Sequence, residues 1–305
     1  MYERTICREG CDVLSNQKVT PANDILFKKV FGSPKYRHIL IGFIKDILDI
    51  DVEEVTIENP YNIDTYYQAS QEKQLLQTEV DVLARLSDQT LVTIEIQLRA
   101  QIYFKERALY YAAEKYISNY GREDVARLEN KKTGAKYSSL YPVYGINILE
   151  FILFKEDENP HHSFTLYDNN QELYFVDENN RQLFTLAFLE LKKHTNKTQK
   201  HLRYWIQYFT GEKVAESAPS YIKEAYQIVD YQNLEREERT MIDAAEKARE
   251  DLKATIIYAE REGIQKGIHV NQIEIAENML GKNFTVDLIH EITGLEQKTI
   301  NSLKV

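Results

Sequence analysis

Residues Thr78-Glu79-Val80-Asp81-Val82-Leu83-Ala84-Arg85-Leu86, Ser87-Asp88-Gln89-Thr90 and Leu91-Val92-Thr93-Ile94-Glu95-Ile96-Gln97-Leu98 read as strand, turn, strand. The flanks are rich in β-branched and aliphatic residues and the centre in turn formers. Side chains alternate faces along a strand. Glu79, Asp81 and Arg85 therefore share one face of the first strand, and Val80, Val82, Ala84 and Leu86 the other. On the second, Thr93, Glu95 and Gln97 lie opposite Val92, Ile94, Ile96 and Leu98. If the strands pair antiparallel about a turn centred near Asp88, Asp81 faces Glu95. Two carboxylates with a polar side chain two residues on make an oxygen-donor set suited to a hard divalent cation such as Mg2+. The same pattern also describes the wet face of a half-exposed antiparallel pair, where acids are common. Strand parity leaves both readings open.

Upstream, Thr20-Pro21-Ala22-Asn23-Asp24 reads as a helix start. Ile25, Leu26, Phe27, Val30 and Phe31 supply its apolar face, and Gly32-Ser33-Pro34 ends it. A second helix is expected over His38–Leu48, a short strand over Val52–Glu58 and a loop over Asn62–Lys73. Downstream, Gln101–Tyr120 has helical spacing, and Gly121–Ala135 is charged and irregular, as in an exposed insertion. Tyr141–Phe154 reads as a buried strand and Phe164–Val176 as a weaker one. Phe184–Leu191 reads as a third strand or as the start of the next helix. Strands alternating with helices predict an α/β domain with a mixed sheet. Beyond Lys197 everything reads as helical: a long exposed helix over Glu235–Glu262, punctuated by Gly263 and Gly267, then short helices over Asn271–Leu280, Thr285–Thr293 and Glu296–Leu303. The expected divisions are a lead-in (1–20), the α/β domain (21–215), an acidic helical connector (216–262) and a small helical tail (263–305) that resembles a helix-turn-helix.

At 305 residues with 43% hydrophobic and 28% charged content, the composition is that of a globular chain, neither disordered nor fibrous. No stretch has the roughly 18 uninterrupted apolar residues of a membrane span, and MYERTICREG has no signal-peptide core. Cys7 and Cys11 fit reduced thiols, so a cytoplasmic location without membrane contact is expected. A net charge of −10 opposes indiscriminate binding to nucleic acid. The distribution is uneven, however, with a basic segment over Arg181–Lys213 followed by an acidic one over Glu224–Glu262. His161-His162 reads as polar loop surface, and no histidine spacing suits zinc. Asp24, at a helix start, reads as a cap or dipole partner. Arg107 and Tyr111 are four apart and share a helix face.

Asp81-Val82-Leu83-Ala84, the turn, then Ile94-Glu95-Ile96-Gln97 resembles the core of the PD-(D/E)XK nuclease fold. More narrowly it is similar to the recombination-promoting nuclease (Rpn) or PD-(D/E)XK nuclease family transposases, in which glutamine stands for the usual lysine. Asn23-Asp24-Ile25-Leu26-Phe27-Lys28-Lys29-Val30-Phe31-Gly32 resembles the family's opening D-x-x-F-K-x-x-F-G helix. Phe104-Lys105-Glu106-Arg107-Ala108-Leu109-Tyr110-Tyr111 resembles its R-x-x-x-Y helix, and Tyr141–Leu149 its next core strand. Leu189-Glu190-Leu191-Lys192-Lys193 resembles its E-L-P-K segment, with Lys192 where proline is usual. The likeness runs over about Pro21–Lys193.

The resemblance implies a restriction-endonuclease-like mixed sheet flanked by helices, with a helical C-terminal extension. It implies a Mg2+-dependent (or Mn2+-dependent) DNA endonuclease of bacterial mobile elements or recombination, in which Asp81 and Glu95 bind the metal with the Ile96 carbonyl. Gln97 would orient water or a phosphate oxygen through a neutral amide. Asp24, by a water-mediated contact, and Arg107, Tyr111, Lys192 and Lys193 are the remaining candidates for the substrate side. The alternative reading is a catalytically silent module of the same fold that binds DNA or protein. The tail is also a candidate for homo-oligomerisation.

Overall fold

The computed structural model describes residues 20–61, 81–127, 134–193 and 197–303. Cys7, Cys11, Glu79, Val80 and the Asn62–Lys73 segment lie outside these residues. The chain divides into two compact units, residues 1–242 and 243–305.

The first unit opens with helices α1 (Asp24–Phe31) and α2 (Arg37–Leu48). Asn23 caps α1, its side chain accepting from the Ile25 N–H at 3.0 Å. The expected apolar face of α1 is buried throughout. Strand β1 (Val55–Ile57) precedes β2 (Val82–Leu86) and β3 (Leu91–Gln97), and α3 (Phe104–Ser118) follows. β4 (Val143–Leu149), β5 (His161–Thr165), the short hairpin β6 (Tyr167–Asp168) and β7 (Leu173–Tyr174), and β8 (Phe184–Glu190) complete the strands. Helices α4 (Lys200–Thr210) and α5 (Ser220–Ile228) close the domain.

Six strands form one sheet in the order β1-β2-β3-β4-β8-β5. The β3–β4 and β4–β8 pairs are parallel and the others antiparallel. This is the mixed α/β sheet that the alternation predicts. One face, with Val82, Ala84, Val92, Ile94, Ile148 and Ala187, packs against the apolar sides of α1, α2, α4 and α5. Phe31, Phe43, Trp205, Tyr208 and Phe209 meet there with ring centroids 4.9–6.2 Å apart. Gly42 lets α5 approach α2, since a Cβ there would lie 2.7 Å from the Tyr221 ring. The opposite face, with Leu91, Val143, Leu149, Leu186 and Phe188, packs against Phe104, Ala108 and Ala112 of α3.

Three sequence expectations change, and one open alternative is decided in favour of the strand. Phe164–Val176 is not one strand, because pairing with β8 ends at Thr165 and the chain then turns into the β6–β7 hairpin. His161 and His162 belong to β5 and are half-buried, instead of forming a loop. Phe184–Glu190 is a strand throughout. Finally, α6 runs unbroken from Arg236 to Gly281, so Gly263 and Gly267 do not interrupt it and Asn271–Leu280 is its last part. Among the described residues no helix is long and apolar enough to cross a membrane.

In the second unit, α7 (Val286–Thr293) and α8 (Gln297–Ser302) follow α6. The Thr285 hydroxyl caps α7, and Gly294 takes a φ of +70° at its C-terminus, a conformation that favours glycine. Ala276, Ile289, Leu295 and Ile300 make this unit's own small core.

Candidate functional site

The hairpin register pairs Val82 with Ile94 and Ala84 with Val92, and its continuation sets Asp81 opposite Glu95. The turn is secured from two sides. Leu86 N–H donates to the Thr90 carbonyl at 2.9 Å, and Arg181 contacts both the carbonyl and the carboxylate of Asp88. On the outer edge, β1 pairing extends past Ile57 through Glu58 N–H to the Leu83 carbonyl and through the Asn59 side chain to Leu83 N–H. The backbone two residues beyond Asp81 is therefore held on both sides.

Asp81 lies at the bend just before β2. Its Oδ2 accepts from the Ile96 N–H at 2.8 Å, tying the acid to β3. Glu95 is buried at 6% exposure, as is Thr93 at 4%, which removes the wet-face reading of this side of the hairpin. The covering helix is α3, the element that strand parity does not reveal. Gln97 ends β3 and donates its amide to Glu95 Oε2 at 3.3 Å. Arg107 donates to the Tyr111 hydroxyl at 3.2 Å and to Gln101 Oε1, and its guanidinium lies over the Tyr111 ring.

Burial pushes the Asp81 carboxyl up to about 7, and the negative charges of Asp24 and Glu95 add to the push against the Ile96 hydrogen bond and Lys28. Burial also raises Glu95, opposed by Arg107 and the Gln97 amide. Asp24, Lys28 and Glu95 thus act on Asp81, while Arg107 and Gln97 act on Glu95. Asp24 is the first residue of α1 and not its cap, which is Asn23. Its carboxylate lies 3.4 Å from Lys28, which in turn lies 3.8 Å from Asp81. Lys28 is the member that the sequence reading did not assign. Its signal was the Asp24–Lys28 spacing of four on one helix.

The lysines fare differently. Lys192 is exposed. Lys193 is buried, with its ammonium 2.7 Å from Glu190 Oε2 and donating to the Phe154 carbonyl. Its charge is spent inside the fold. Arg181, in the same basic segment, is held by Asp88 and Asp177.

Among the described residues no three His, Cys, Asp or Glu side chains group as a ligand set. The acids come as a pair. That suits Mg2+, which keeps several waters and is held by one or two carboxylates together with substrate phosphates. The donors are hard oxygens, and both carboxylates carry a desolvation burden that a cation relieves. The residues fit a divalent metal.

A sequence model of one protein family, described as PD-(D/E)XK nuclease family transposase, matches residues 21–259. No curated protein and no solved structure matches the chain.

Proposed function

Because the chain belongs to the PD-(D/E)XK nuclease family transposases, we propose that it is a metal-dependent DNA endonuclease acting at Asp81, Glu95 and Gln97. The observation that carries this reading is the pair of desolvated carboxylates, Asp81 and Glu95, joined through the Ile96 amide on the sheet face beneath α3. A divalent ion held there lowers the pKa of its water and offsets charge on the scissile phosphate.

The Ile96 N–H donates to Asp81 Oδ2 and ties the carboxylate to β3, with Lys28 3.8 Å from Oδ1. Gln97, already within reach of Glu95, orients water or a phosphate oxygen without adding charge. Arg107, steadied by Gln101 and Tyr111, offers a guanidinium to a phosphate, where its planar fork makes paired hydrogen bonds. Lys28 supplies the local countercharge between Asp24 and Asp81 when no divalent ion is bound. Lys192 remains a candidate backbone contact, and Lys193 is assigned to the fold instead.

Nicking of supercoiled plasmid by the full chain, with Mg2+, with EDTA and with Asp81→Ala in parallel, tests the reading. Nicking is expected to require the metal, with Mn2+ as a substitute, and to fall on the order of a hundredfold or more in the variant. Nicking that survives EDTA, or that Asp81→Ala leaves unchanged, sinks the assignment.

A further inference from the structure

Gln97 ends β3, and the chain reaches α3 through Leu98 to Tyr103. Within that connection stand the two most exposed large hydrophobic side chains of the described residues, Ile102 at 84% and Tyr103 at 75%. A single exposed apolar residue is ordinary. Two in succession, in the connection that leaves β3 after Gln97, need a reason.

The backbone adds one. Tyr103 has a φ of +61°, in the left-handed region. For a bulky side chain this is a strained outlier, and such strain clusters at functional sites. The turn is held in place from the next residue, since Phe104 is buried and packs edge-on against Phe151 at 5.7 Å. The Tyr103 carbonyl accepts from Arg107 N–H at 3.0 Å, opening α3. With Phe104 driven inward, Ile102 and Tyr103 are driven out.

The same loop is wired to the acid pair. Gln101, next to Ile102, accepts from Arg107, and the charge of Arg107 acts on Glu95. Arg99, Lys105 and Arg107 flank the two apolar side chains, against one acid, Glu106. A projecting apolar pair with basic residues on both sides of it in the chain, Lys105 lying over the Phe154 ring and Arg107 over Tyr111, complements a polymer with a phosphate backbone outside and flat apolar bases within.

Resting on the nuclease reading above, we propose that Ile102 and Tyr103 form a wedge that parts and stacks against the bases of DNA next to the scissile phosphate. Phosphates take Arg107 and Lys105, while the aliphatic and aromatic side chains replace base–base stacking with side chain–base stacking. The strained turn presents the wedge without a folding step on binding.

The test uses the full chain and a short duplex carrying 2-aminopurine, which brightens when unstacked. Affinity is read from the anisotropy of an end label in Ca2+, and nicking is read on plasmid in Mg2+. The wild-type chain is expected to brighten the probe severalfold at one base step. Ile102→Ala with Tyr103→Gly keeps the backbone turn, since glycine accepts that φ. It is expected to abolish the brightening and weaken binding on the order of tenfold, with a melting midpoint that does not fall, because glycine relieves the strained φ. Tyr103→Trp, which retains a ring, is expected to keep the signal. If the wild-type chain nicks DNA and the double variant nicks and brightens the probe equally, the wedge is wrong and the nuclease reading stands. If the double variant instead changes only the mass in light scattering, the patch is a contact between copies and the wedge is again wrong. A wild-type chain that neither binds nor nicks DNA overturns both readings.

Discussion

Glu190, at the end of β8, and Glu95, in β3, lie on one face of one sheet, separated by β4. Both are buried. Glu190 accepts the N–H groups of Leu153 and Phe154 on Oε1, and its Oε2, which makes no hydrogen bond, is ion-paired with the Lys193 ammonium at 2.7 Å, with His162 at 3.4 Å. Glu95 has the Gln97 amide and the field of Arg107, and beside it stands Asp81 with a second negative charge. A buried charge is tolerated when it is paired and hydrogen-bonded, and otherwise the proton returns. Glu190 is therefore a staple that pins the segment after β4 to the sheet. The Asp81–Glu95 pair has only Lys28, 3.8 Å from Asp81 and shared with Asp24, and the field of Arg107, so burial still raises both carboxyls, which is the condition of a binding site. Neighbouring acids on one sheet do different work because of what is provided around them.

The largest stability effect is expected at the staple. Lys193→Met removes the partner and leaves Glu190 buried and charged, which costs about 3–5 kcal/mol. Glu190→Gln with Lys193→Met removes both charges and is expected to recover most of that loss, because the pair's own net contribution is small. Thermal melting of the wild-type chain and the two variants reads both numbers. A stable Lys193→Met chain that has lost DNA binding would break the comparison and return Lys193 to the DNA-contacting role that the basic segment suggests.

Next in size is the behaviour of Asp81 with pH. Its carboxyl titrates in the fold at about 7, well above the unfolded value of 3.8. The folded chain therefore holds a proton between these pH values that the unfolded chain has released. Stability from this group is complete below pH 4 and is lost as pH rises through 7. In EDTA, Asp81→Asn is expected to be more stable than wild type above pH 7 by a few kcal/mol, with the gap closing below pH 4. Mg2+ is expected to reverse the order, raising the melting point of the wild-type chain only. Equal pH profiles for the two chains would mean that Asp81 carries no desolvation burden and that the contrast with Glu190 is empty.

How much of this was legible in the sequence follows from what each signal measures. The Ser87–Thr90 turn and strand parity define the hairpin register, because a one-residue slip would expose Val82, Ala84, Val92 and Ile94. Helix α1 was legible from Asn23 to Gly32 because cap, apolar face and stop agree. The burial of Glu95 was not, since parity says which side chains share a face and nothing of the helix that covers it. His161 and His162 were read as loop because no alternation marks an edge strand of polar residues, which is held by its pairing with β8. Gly263 and Gly267 look like breaks, yet each costs only about 1 kcal/mol against alanine in an exposed helix. Nothing lies within 4 Å of a Cβ at either position. Lys193 was read as a surface cation because its partner Glu190, three residues away, looks like an ordinary strand acid until the segment after β4 folds over it.

The smallest effect, and the sharpest on mechanism, is at Gln97. Its amide does two separable things: it offers a neutral hydrogen bond toward the reacting region, and it holds down the proton affinity of Glu95. Gln97→Ala removes both. Nicking is expected to fall about tenfold, or ~1.4 kcal/mol in the barrier, with its acid limb moved to higher pH because Glu95 keeps its proton longer. Gln97→Lys places a cation at the same point, so the acid limb is expected to move to lower pH, whatever happens to the maximal rate. Opposite displacements of the two profiles mean that Gln97 acts through the charge state of Glu95. A lowered rate in Gln97→Ala with an unmoved profile leaves only the orienting role, and an unchanged rate removes Gln97 from the site while Asp81 and Glu95 remain.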